Sequence, residues 1–193
     1  MEDTNLTPKE SLNVINEMIA ETKTQMNENG FIYRLWGWLG TICAIAQFIL
    51  LHSSLEAYNY FPYFLVIPAF IYTGIHQGRT HRQEKESYIG KVMKILWISV
   101  GINLMVIGFL TYPLFQVFPT PFILILAGIG VIVSGGVTKF NPLIRGGIIC
   151  NLLGIGALFT TPIYQPLLLA AGIIAAELVP GYILRNKFRK HYA

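Results

Sequence analysis

Residues 95–112 read Ile95-Leu-Trp-Ile-Ser-Val-Gly-Ile-Asn-Leu-Met-Val-Ile-Gly-Phe-Leu-Thr-Tyr112, eighteen consecutive positions without a charge. A run of that length is what a helix needs to cross a hydrocarbon core of about 30 Å. Composition supports the same reading: 12% of the 193 residues are charged and 53% are apolar, against about 25% charged in an ordinary soluble domain. Outward from this block lie five further apolar segments, at 35–51, 61–75, 122–138, 146–161 and 167–184. At ~1.5 Å per residue each reaches roughly 23–27 Å, slightly short of the core unless aromatic flanks extend it. Such flanks are present, with Phe31, Tyr33, Trp36 and Trp38 around the first segment and Tyr58, Tyr60 and Tyr63 around the start of the second.

The basic residues orient the chain. Lys9, Lys23 and Arg34 lie at the first segment; Arg79, Arg82, Lys85, Lys91 and Lys94 lie between the second and third; Lys139 and Arg145 follow the fourth. Arg185, Lys187, Arg189 and Lys190 complete the 14, so the alternate connections 52–60, 113–121 and 162–166 hold none. The positive-inside rule therefore predicts six spans with both termini in the cytoplasm. The pI near 9.1 is on this reading a topology signal, and nucleic acid is not an expected partner, because no interleaved aromatic and basic pattern accompanies the charge. Residues 1–30 lack the basic-then-apolar order of a cleaved signal peptide, so the N-terminus is expected to remain on the mature protein.

The uncharged connections are short and carry prolines, Pro113, Pro119 and Pro121, then Pro162 and Pro166, with Pro62 just after the first. Short turns force neighbouring spans antiparallel. The expected fold is all-α, a polytopic bundle over 31–184 made of three sequential hairpins, 35–75, 95–138 and 146–184, preceded by a cytoplasmic amphipathic helix within 1–30 and followed by a basic tail, 185–193. Asn103-Leu-Met-Val-Ile-Gly108 before Pro113 matches Asn151-Leu-Leu-Gly-Ile-Gly156 before Pro162, and Ala127-Gly128 matches Ala171-Gly172. This spacing reads as a parallel internal repeat, with chance recurrence of Gly, Leu and Ile in membrane segments as the alternative. Over residues 95–184 the Gly-rich hairpins with their turn prolines resemble small six-span bacterial acid-resistance membrane proteins. Thr7-Pro-Lys-Glu-Ser-Leu, Asn29-Gly-Phe and Trp36-Gly-Trp-Leu39 also resemble an uncharacterised family of small bacterial six-span proteins with a cytoplasmic N-terminal helix. Neither resemblance implies a catalytic motif.

Thr7-Pro8-Lys9-Glu10 reads as a helix start, with Thr7 as cap, Pro8 at the first position and Glu10 completing a capping box. Asn29-Gly30 reads as its stop. Between them Leu12, Ile15, Ile19, Thr22 and Met26 line one face. Residues 1–30 hold six acids and two bases, a balance that anionic lipid repels and that suits the basic connection 76–94 or the basic tail. Docking of the Leu12, Ile15, Ile19 and Met26 face on the protein's own bundle, on a second copy or on another membrane or cytoplasmic protein all remain open.

Glu177 is the only acid within a span. It precedes Arg185 by eight positions, roughly 12 Å along a helix, where ionisation is costly and a neutral carboxyl is expected. Pro180 leaves the Ala176 carbonyl without its helical donor, so Glu177 reads either as a hydrogen-bonded acid holding a kinked helix or as a proton or cation site. Asn103 and Asn151 are its candidate polar companions, and as interhelical glue they would contribute about 0.6 kcal/mol each. Cys43 and Cys150 fit neither a disulfide framework nor a zinc cluster. His52, His76, His81 and His191 have no i, i+4 histidine partner, and no P-loop, dinucleotide fingerprint or nucleophile elbow occurs. No cofactor or metal is expected. The sequence therefore points to a non-enzymatic accessory or regulatory membrane protein, with a small transporter or channel using Glu177 as the alternative.

Overall fold

The computed structural model describes residues 8–80, 88–115 and 117–191, with side chains over 30–76, 90–115 and 117–186. Among the described residues every regular element is a helix. Helix α1 is Pro8–Leu51, α2 Val66–Thr80, α3 Tyr88–Phe115, α4 Thr120–Val137 and α5 Asn141–Leu158; α6, Gln165–Ile173, passes through a π turn, Ile174–Leu178, into α7, Val179–His191. Five stretches are long and apolar enough to cross a membrane, Gly30–Leu51, Gly90–Phe115, Thr120–Val137, Asn141–Leu158 and Pro162–Asn186. The chain is an all-helical membrane protein.

The N-terminal helix does not stop at Gly30. Helix α1 runs unbroken for 44 residues, about 66 Å, twice the thickness of a hydrocarbon core. The glycine serves packing: a Cβ there would lie 3.2 Å from Leu184 Cδ2 of α7, and its carbonyl accepts the Arg34 Nε–H at 3.0 Å. Glycine ends a helix when its left-handed freedom is used, and no glycine among the described residues has a positive φ. Thr7 and the side chains of Leu12, Ile15, Ile19 and Met26 lie outside the described residues. The tail is helical through His191.

The segment expected as the second span is also different. Phe61–Leu65 is a 3₁₀ turn and only then does the 15-residue α2 begin. Pro68 has no N–H to give the Phe64 carbonyl, and its ring crowds that group, which favours a helix start in the turn containing Pro68.

Two layers follow from where small residues sit. In the inner layer α4 lies directly on α5, because glycines let the backbones approach. A Cβ on Gly147 would be 2.8 Å from the Gly128 carbonyl oxygen, and one on Gly135 2.8 Å from the Ile144 nitrogen. This closest helix pair joins segments assigned above to different hairpins. Gly37 and Gly40 similarly bring α1 against Leu178 and Ile173. Leu124, Val131, Leu143, Cys150, Leu169 and Ala176 form the buried centre. The outer layer, α2 and α3, exposes Ile67, Ile71 and Ile75 and then Ile95, Ile98, Ile102 and Val106, an apolar surface suited to lipid.

Candidate functional site

Glu177 lies in the π turn. There the Val179 N–H reaches back to the Ile174 carbonyl, five residues away, a register change that accommodates the missing donor of Pro180. The turn also presses the Ala175 carbonyl onto Gly146 of α5, a contact that any Cβ would block. Glu177 has one fully buried carboxyl oxygen without a hydrogen-bond partner. Tyr33 and Cys150 lie close enough to feel its charge. The Tyr33 hydroxyl faces Ser134 and Trp97 without a well-formed hydrogen bond, since Ser134 Oγ donates to the Gly130 carbonyl at 2.8 Å.

Beside Glu177 a cavity of about 340 Å³ runs between the two layers, with Trp36, Gly40, Cys150, Ile173 and Ala176 around the carboxyl and Gln47, Tyr60, Tyr63, Tyr112 and Thr120 at the far end. Rings rather than backbone close its side. Phe70 of α2 meets Gly101 of α3 and stands edge-on to Trp36 at 6.3 Å. Phe64 and Phe109 are 5.7 Å apart and Tyr60 and Tyr112 5.4 Å apart. Away from these rings α3 packs directly on α4, where a Cβ on Gly130 would lie 3.4 Å from Val100.

The far end is held by a buried amide. Gln47 is 2% exposed; it accepts from the Tyr63 hydroxyl at 2.8 Å and donates to Asn59 Oδ1 at 3.2 Å. Cys43 Sγ contacts the Pro62 carbonyl at 3.2 Å. These bonds pin the 3₁₀ segment to α1. The Tyr60 hydroxyl is buried without a partner; that burial, with Tyr112 beside it, pushes its pKa up, so it stays a donor at all ordinary pH values.

Of the three polar residues singled out by sequence, Glu177 alone lines the cavity. Asn103 is exposed on α3 with its amide donating to the Ser99 carbonyl at 2.8 Å. Asn151 abuts Gly128 at the α4–α5 contact, its Oδ1 buried without a partner. Gln47 was the missed residue, and its signal was present as the sole amide side chain of the first apolar segment. Among the described residues no three His, Cys, Asp or Glu side chains gather to hold a metal. No protein-family model, characterised protein or solved structure matches the chain.

Proposed function

We propose that this is a non-enzymatic, six-span protein of a bacterial inner membrane that binds one small lipophilic molecule in the cavity beside Glu177. The observation that carries the reading is the cavity itself: about 340 Å³ in volume, at the lower end of the roughly 300–1,000 Å³ of small-molecule sites, and apolar except for a few polar groups. Binding pockets commonly have this make-up, apolar walls fixing affinity and a few polar groups fixing orientation. The unbroken α1 favours a regulatory use, because the helix that supplies Trp36, Gly40 and Gln47 to the cavity also carries the N-terminal segment expected to dock on the protein's own bundle or on a partner. Carriage of the ligand across the membrane is the alternative use of the same site.

Filling the cavity tests the reading. A Cβ at Gly108 would meet only Ile123 Cδ1, at 3.8 Å, so Gly108→Leu adds bulk to the cavity wall without a backbone clash and removes a helix-interior glycine. The variant is expected to melt no lower than the native protein while losing uptake of an uncharged fluorescent lipophile such as N-phenylnaphthylamine. Equal binding by native protein and variant in nanodiscs would exclude this cavity as the site.

A further inference from the structure

We infer that the cavity's ligand is a lipophilic monocation, an amine or quaternary ammonium whose charge meets the Glu177 carboxylate and whose body lies against the aromatic walls. The inference rests on the lipophile-binding reading and narrows it to a charge class. Three observations lead to it. The cavity lining contains one acid and no lysine, arginine or histidine, so a positive ligand would find one complementary charge and no repelling one. Arg34, which packs against Gly181 one helical turn from Glu177, is engaged elsewhere, its Nε–H on the Gly30 carbonyl and its charge 5.9 Å from the centre of the Tyr182 ring. Tyr33 and Cys150, the neighbours that feel the Glu177 charge, bring no positive charge of their own.

The second observation is the unpartnered buried oxygen of Glu177. A carboxylate buried alone is strongly disfavoured, whereas one paired with a cation in the same low-dielectric space regains much of that cost. The third is the lining around it. Trp36 and Phe70 line the cavity with it, and aromatic rings attract cations, most strongly when both are desolvated. At the opposite end Gln47 already has Tyr63 and Asn59 as partners and the free Tyr60 hydroxyl is a neutral donor, so a positive group finds its opposite charge at the Glu177 end. A volume near 340 Å³ suits a single compact body.

The test compares 4-phenylbutyl-trimethylammonium with its uncharged isostere bearing a tert-butyl head, both titrated into the full-length protein in nanodiscs, with empty nanodiscs and the Gly108→Leu variant as backgrounds. The native protein is expected to bind the cation at least about tenfold tighter than the isostere, a difference of about 1.4 kcal/mol. Glu177→Gln should erase that preference by weakening the cation at least about tenfold. Equal binding of both probes by the native protein, or a preference that survives Glu177→Gln, would overturn the cation assignment and leave the lipophile reading standing. Absence of binding of either probe above both backgrounds would overturn the two together. Should Glu177→Gln fail to fold, the native comparison decides alone.

Discussion

The buried oxygen of Glu177 accepts from no donor, and this bears directly on what the residue is for. A carboxyl that held the kinked helix would be bonded to the carbonyl freed by Pro180, through its proton, or to an asparagine, yet Asn103 bonds within α3 and Asn151 abuts Gly128. The register change of the π turn, not the side chain, accommodates the proline. Removing a buried polar group that has no partner relieves a desolvation penalty, so Glu177→Leu is expected to stabilise the protein by about 1 kcal/mol or more. Thermal unfolding of the two proteins in the same detergent checks this, and a lower melting temperature for the leucine variant would restore a structural role. Stability gained where function is lost is a common mark of a binding site. The sequence made Glu177 legible because a lone acid among apolar residues stands out; it could not reveal the missing partner, which depends on five other elements.

At the scale of elements, the turn between α4 and α5 shows local chemistry setting packing. Helix α4 closes with the Phe140 N–H on the Gly135 carbonyl at 2.8 Å and the Lys139 N–H on the Gly136 carbonyl at 3.2 Å, the paired bonds of a Schellman cap. The position that must turn left-handed is Lys139, at φ 51°, where a side chain is strained and glycine is not. Lys139→Gly is therefore expected to raise stability by about 1 kcal/mol, measurable as a higher melting temperature with unchanged ligand binding. A drop would mean that the lysine side chain contributes more than its backbone strain costs. The apolar blocks made most of the helices legible, since charge-free runs of this length have few other uses. Gly30 misled because a glycine used for close approach to Leu184 looks the same in sequence as one used to end a helix. The cavity was hidden for a different reason: Gln47, Tyr60, Tyr112 and Glu177 belong to separate segments, and no periodicity within one segment records a volume left unfilled between several.

For the whole molecule, the decisive question is whether 61–80 crosses the membrane, because its answer fixes the side of everything after it. The 3₁₀ turn Phe61–Leu65 and the 15-residue α2 together reach roughly 32 Å at ~2.0 and ~1.5 Å per residue, enough for a ~30 Å core. If the segment crosses, Arg79, Arg82, Lys85, Lys91 and Lys94 lie on the same side as the N-terminus, and so do Lys139 and the basic C-terminal helix. If it does not, those five bases face outward, Lys139 follows them, and the positive-inside pattern fails in the middle of the chain. Ser54 precedes the segment and is outside in either case. Cys43 and Cys150 are both buried, so an impermeant maleimide should leave the native protein unlabelled. Ser54→Cys is expected to react from outside intact cells, and Lys139→Cys, exposed at its turn, only after the membrane is opened. External labelling of Lys139→Cys would show a five-span chain with its C-terminus outside, and would also place the Glu177 end of the cavity toward the other face of the membrane.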